Sequence, residues 1–273
     1  RIYGAALPTQ SIRALLDDWD RNFATLQKVA ESLRADGFSL APLVAEKDLR
    51  VLAPVAPAGR LFYAAANYRA HVAGMAKTFS NNLPAVPNAQ AAYDDKSKLK
   101  PYLFLKACAP TGPHDDILLP PGEHRIDWEA ELAVVIGRMA RNVKPEEALD
   151  YVLGYTVAND VSARDIQKRD GQWTRAKGFD TFLPLGPWIA THVDPSRLSL
   201  KTFVNDEIKQ DGSTHDLVFD VPSLVAFCSE SMTLLPGDII LTGTPAGVSP
   251  IVDGDVVQCS IQGVGEIINT VEA

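Results

Sequence analysis

Glu129 and Glu131 stand two residues apart in Asp127-Trp-Glu-Ala-Glu-Leu-Ala-Val-Val-Ile-Gly137, a run with the composition of a β-strand. Side chains alternate along a strand, so the two carboxylates share one face while Ala130, Leu132, Val134 and Ile136 take the other. Beyond Glu131 the run is apolar on both faces, which predicts burial on both sides. Two like charges at the mouth of a buried strand raise each other's pKa and are costly unless something positive lies between them. A hard divalent cation meets that need. Asp160 follows a second strand-like run, Tyr151 to Ala158, and offers a third oxygen ligand. Three carboxylates suit Mg²⁺ or Mn²⁺ better than Zn²⁺. The plainer alternative is that Glu-x-Glu marks only the solvated face of a sheet.

Other residues could serve chemistry around that centre. His71 lies just past the apolar run Leu61–Ala66, where a strand hands over to a helix and active-site loops are commonly mounted. As a general base it would need an orienting carboxylate, and Val72-Ala-Gly-Met75 contains none. Lys177 sits in a stretch rich in Gly, Pro and aromatics, Trp173 to Pro187, where an ammonium could face a substrate carboxylate or enolate. Ser162, Arg164, Asp165 and Gln167 form a polar group after Asp160. Thr242-Gly-Thr-Pro-Ala-Gly247 reads either as an anion cradle of backbone N–H groups and hydroxyls or as a tight turn.

The elements that must position these residues are mostly strands. Many short strand-like runs with few helices and no repeated βαβ pattern predict an α+β, β-dominated fold, a sandwich or rolled barrel. Residues 11–36 carry helical periodicity, as one long amphipathic helix or two short ones, with Thr9 or Ser11 as a cap and Gly37 as the stop. Asp17, Asp18 and Asp20 are read there as a solvated face. The Pro-rich stretch 53–59 predicts a boundary, giving a small N-terminal region 1–57 and a catalytic domain 58–273. Glu146–Asp150 and Pro222–Ser231 read as helices, and Leu200–Val204, Leu217–Phe219 and Asp238–Leu241 as strands. Residues 76–100 lack periodicity and read as a mobile lid or a disordered surface loop.

Composition narrows the partners. A net charge of −8 without a dense Lys/Arg cluster argues against nucleic acid and anionic membranes and toward a small-molecule substrate. Three widely spaced cysteines, Cys108, Cys228 and Cys259, predict core thiols in a reducing compartment, not a disulfide framework or zinc site. No apolar run approaches a membrane span, and the cytoplasm is the expected location.

Taken in order, Asn67–His71, Asp127–Gly137, Gly154–Asp165, Lys177–Pro187 and Leu235–Gly247 resemble the fumarylacetoacetate hydrolase superfamily, from about residue 58 onward. The resemblance implies a mixed β-roll, a homodimer, and Mg²⁺ or Mn²⁺ bound by Glu129, Glu131 and Asp160. It also implies chemistry on a 2-oxo acid through a metal-stabilised enolate, with Lys177 adding positive charge. Gln167 and Thr244 match substrate-contacting positions in relatives, and Arg164 beside them completes the expected substrate-binding set. His71 matches the lid histidine that activates water in the family's hydrolases. The chain departs from many relatives at Gly74, where they carry a Glu that orients this histidine. Asp94 or Asp95 could replace it, His71 could act unaided, or the reaction could need no activated water. The expected function is therefore hydrolysis of a C–C bond in an acylpyruvate- or fumarylpyruvate-like β-diketo acid. The alternatives are a decarboxylase or tautomerase/isomerase of a small oxo-diacid, or a non-catalytic binding member of the fold.

Overall fold

The computed structural model describes residues 12–37, 44–45, 48–69, 99–122 and 124–273. His71, Gly74, Thr9, Ser11 and the expected lid up to residue 98 lie outside the described residues. In chain order the strands are β1 (Leu61–Ala65), β2 (Tyr102–Lys106), β3 (Ile117–Leu118), β4 (Ile126–Asp127), β5 (Ala130–Ile136), β6 (Val152–Asn159) and β7 (Ser162–Ala163). They continue with β8 (Leu185–Ala190), β9 (Ser199–Val204), β10 (Glu207–Ser213), β11 (Ile239–Leu241), β12 (Val256–Ile261) and β13 (Gly265–Glu272). A six-stranded sheet runs β2-β1-β11-β5-β6-β8, a five-stranded sheet runs β10-β9-β12-β13-β3, and β4 and β7 form a short ribbon. Pairing is antiparallel except for β1 with β11 and β13 with β3, so both large sheets are mixed. Neither sheet closes on itself, and the fold is strand-dominated α+β with two open layers in place of a barrel.

β5 divides the interior. Its even positions, Ala130, Leu132, Val134 and Ile136, join Val257, Ile261 and Ile267 of the second sheet in the core between the layers. Its odd positions, Ala133 and Val135, face a second core with Tyr63, Leu241 and Leu16. Every residue of β5 is buried, as the two-sided apolar run implies. Full burial of a side chain such as Leu132 contributes about 1.5–3 kcal/mol, which makes this strand a rigid base for the acids at its mouth.

The outer elements follow the sequence less closely. The N-terminal periodic stretch is interrupted, with helices Ile12–Leu15 and Trp19–Ala35 separated by a 3₁₀ turn at Leu16–Asp18. Gly37, at φ +57°, ends it, its N–H donating to the Arg34 carbonyl at 3.2 Å. The helix expected at 146–150 is a 3₁₀ helix, Pro145–Tyr151. Leu217–Phe219 does not form a strand. Leu217 makes one isolated bridge to Tyr68, and the Val218 and Phe219 N–H groups both donate to Asn67, each at 2.8 Å. Helix Val221–Ser231 is capped by Asp220, which accepts from the Ser223 N–H at 3.0 Å. All three cysteines are buried free thiols, and burial pushes those of Cys228 and Cys259 up to about 12. No described helix is long and apolar enough to cross a membrane.

Candidate metal centre

The antiparallel pairing of β5 with β6 sets Glu131 opposite Ala158 and Ala130 opposite Asn159. Hydrogen bonds carry the pairing past both strand ends. The Asp160 N–H donates to the Glu129 carbonyl at 2.8 Å, and the Asn159 side-chain oxygen accepts from the Glu129 N–H at 2.9 Å. Glu129, Glu131 and Asp160 are thereby brought together, one ligand oxygen from each lying within 4.8 Å of the others. They are 7%, 3% and 1% exposed, so water does little to separate their charges. The Gly243 N–H holds Glu131 Oε2 at 2.6 Å. Gly243 sits at φ +93°, and a Cβ there would meet the Ala64 carbonyl and Asn67 at 3.1 Å, so only glycine delivers that amide.

Three buried or half-buried cations answer the acids. Lys177 Nζ donates to Glu129 Oε2 at 3.0 Å, to Ser162 Oγ at 2.8 Å, and to Asp160 Oδ2. Lys106 Nζ reaches the other oxygen of Asp160 at 2.7 Å and also donates to the Phe182 carbonyl. Arg164 spans Asp127 at 2.9 Å and Glu129, while donating to Gln167 Oε1 at 2.9 Å. Burial alone would lower Lys177, but Asp160 and Glu129 outweigh it and hold the ammonium above its ordinary range. Glu131, held by an amide in place of an ammonium, is pushed well up by burial and then by Asp160 and Glu129. Asp127, Glu129 and Asp160 are thus each ion-paired, Asp127 to Arg125 at 3.2 Å as well as to Arg164, whereas Glu131 is held by the Gly243 amide. A buried cluster of three hard oxygen donors fits Mg²⁺ or Mn²⁺.

The acids open onto a cavity of about 550 Å³ that also takes in Lys177, Arg164, Gln167 and Thr244. The described residues expected from the sequence therefore meet at one place. Two of them are arranged differently from the expectation. All three ammonium protons of Lys177 are engaged by Glu129, Asp160 and Ser162, so it braces the carboxylates as well as adding charge. Arg164 braces Asp127, Glu129 and Gln167 in the same way. The anion-cradle loop contributes Gly243 to the centre and Thr244, Ala246 and Gly247 to the cavity wall. Sequence reasoning missed Lys106, Asp127 and Asn159. The one signal for Lys106 was a lysine closing the apolar strand Leu103-Phe104-Leu105.

The chain is thus a layered, strand-dominated α+β fold with a buried carboxylate–ammonium centre at the mouth of its central strands, open to a cavity. The family description fumarylacetoacetate (FAA) hydrolase C-terminal matches residues 60–272, and the chain belongs to the fumarylacetoacetate hydrolase family. A mitochondrial oxaloacetate tautomerase from Homo sapiens is 40% identical over 261 residues, 91% of this chain and 76% of that protein. A crystal structure of 5-carboxymethyl-2-hydroxymuconate delta-isomerase from Mycobacterium smegmatis is 44% identical with a TM-score of 0.72, covering 84% of this chain and 82% of the other. A maleylpyruvate hydrolase from Sphingobium sp. SYK-6, in complex with manganese(II) and pyruvate, is 31% identical with a TM-score of 0.73, covering 95% and 84%.

Proposed function

We propose that this chain is a divalent-metal-dependent enzyme that interconverts keto and enol, or isomeric, forms of a small 2-oxo diacid. The observation that carries the reading is the brace at Lys177, whose ammonium joins Glu129 to Asp160 inside the buried cluster. Glu129, Glu131 and Asp160 would hold the cation, which when bound supplies Lewis acidity toward a developing enolate. Lys177 and Lys106 each hold one oxygen of Asp160, and the Gly243 amide holds Glu131, so the chain's own groups set the positions of these two acids. Phe104 lies 5.3 Å from the Lys177 ammonium and walls it from water. Gln167 and Thr244 line the cavity as polar groups able to orient a substrate carboxylate. Relatives named as a tautomerase and an isomerase support this reaction class, and Gly74 leaves His71 without the family's orienting Glu.

Hydrolysis of an acylpyruvate- or fumarylpyruvate-like acid is the second reading, favoured by the likeness to the maleylpyruvate hydrolase that holds manganese and pyruvate. It gives His71 the role of activating water. The test is a panel of oxaloacetate, fumarylpyruvate and acylpyruvates with Mg²⁺, Mn²⁺ or EDTA, followed by product masses. An isomer of unchanged mass supports the first reading, pyruvate plus a second acid the hydrolase, and CO₂ a decarboxylase. Full metal-dependent activity in Glu131→Ala would remove the site assignment.

A further inference from the structure

Beside the carboxylates, a neutral hydrogen-bond chain runs from the second sheet to the cavity at Thr244. Thr202 of β9 donates from Oγ1 to Gln210 Oε1 at 2.7 Å. Gln210 of β10 donates from Nε2 to the Pro245 carbonyl at 2.8 Å and to Thr244 Oγ1 at 2.9 Å. The three side chains are 0%, 1% and 4% exposed, so solvent does not compete for these bonds. The chain has a single direction. A carbonyl only accepts, so the atom of Gln210 facing Pro245 must be the NH₂ group. Its two protons then meet two acceptors, and Thr244 is one of them. Among the described residues Gln210 is the hydrogen-bond partner of the Thr244 hydroxyl, and that bond uses the oxygen's lone pair, not its proton.

We infer that Gln210 is a positioning residue: oriented by Thr202, it fixes the Thr244 hydroxyl as a donor into the cavity, so the ligand atom held there is an oxygen acceptor, a carboxylate or enolate oxygen. The backbone is built to place it. The register of β10 against β9 shifts between Ile208 and Gln210, so Lys209 is the extra residue and Gln210, not Lys209, stands opposite Thr202. The same hairpin clamps the loop that carries Thr244. A Cβ on Gly212 would lie 2.7 Å from the Pro245 ring, and one on Gly247 only 2.2 Å from the Lys209 carbonyl. Close approach at both places holds the loop against β10 and leaves Thr244 little freedom to turn.

Neutron diffraction on deuterium-exchanged crystals tests the assignment without turnover. The deuteron on Thr244 Oγ1 should point into the cavity; a deuteron on the line to Gln210 would overturn the inference. A kinetic arm rests on the 2-oxo acid reading. Gln210→Glu presents a carboxylate that accepts from Thr244 and reverses its polarity, so KM for the acid should rise about tenfold or more with a smaller change in kcat. Thr244→Val should do the same, and the double variant should add nothing, whereas independent additive losses would reduce Gln210 to a packing role. If Gln210→Glu does not fold, Thr202→Val leaves the cavity untouched and should raise KM in the same direction; an unchanged KM counts against the relay. Wild-type protein inert toward every oxo acid would remove the enzymatic reading, while the deuteron position would still decide the inference.

Discussion

Two walls of the cavity are polar and buried, and they are held by different forces. On the β5–β6 side, Glu129 and Asp160 are ion-paired to Lys106, Lys177 and Arg164, while Glu131 is held by the Gly243 amide. On the β9–β10 side, Thr202, Gln210 and Thr244 carry no charge and are linked in one hydrogen-bonded chain. Buried charge gains strength from the low dielectric only if fully paired, whereas a neutral relay keeps its internal bonds whether or not a cation is bound. The charged wall is therefore poised to respond to a cation, and the neutral wall to remain unchanged when one arrives.

Removing one partner from the charged wall should do the greatest damage. Lys106→Met leaves Asp160 facing Glu129 and Glu131 with half of its compensation gone, and should cost about 3–5 kcal/mol in urea unfolding. A cost near that of a surface pair would mean that the two walls do not differ as described. Metal comes next. At about one hundred times its Kd, Mn²⁺ should stabilise the protein by about 2.7 kcal/mol, and EDTA should reverse this. Glu131→Gln should lose the response, while Thr202→Val on the neutral wall should keep it.

A third contrast concerns pH. Glu131 is pushed up in the folded protein, so the folded state binds a proton more readily than the unfolded chain does. Metal-free stability should then fall as pH rises from about 4.3, the unfolded carboxylate value, through the raised folded value. Glu131→Gln keeps an oxygen for the Gly243 N–H and removes the repulsion, so the metal-free variant should be more stable than the parent at pH 7 by about 1 kcal/mol. Parallel pH profiles for the two proteins would contradict the charge argument. The smallest effect belongs to the neutral wall. Thr202→Val should cost about 1 kcal/mol, with no dependence on metal, measured by thermal unfolding with and without Mn²⁺.

The charged wall was far more legible in the sequence than the neutral one. Period-two alternation put Glu129 and Glu131 on one face, and an apolar run on both faces of the same strand implied their burial. Asp160 was legible as the acid ending the partner strand. Lys106 was not, because a lysine at a strand end usually reaches solvent, and only the packing of β2 beside β1 turns it inward. Gln210 was invisible for another reason. Glu207-Ile-Lys-Gln-Asp-Gly-Ser213 shows no apolar alternation, since β10 is an edge strand whose bulge breaks the period at the residue that matters. Leu217–Phe219 failed in the opposite sense, an apolar triplet whose backbone groups are satisfied by Asn67 in place of a sheet. Strand dominance was foreseeable from strand density, but not whether the sheets would close into a barrel, nor their order, because β11 lies between β1 and β5 from far along the chain.

That strand order has a consequence for how the molecule comes into being during synthesis. β5 and β6 are near neighbours in the chain and can pair as soon as both have been made, whereas β1 must wait for β11 before it is joined to them. The Arg60–Asp238 ion pair and the amide of Gly243 on Glu131 arrive with that late segment. A nascent chain interrupted before residue 239 would carry its acids on a hairpin with an open, adhesive edge, a species for chaperones to hold. The chain should fold slowly, the rate being set by closure of the long loop between β1 and β11.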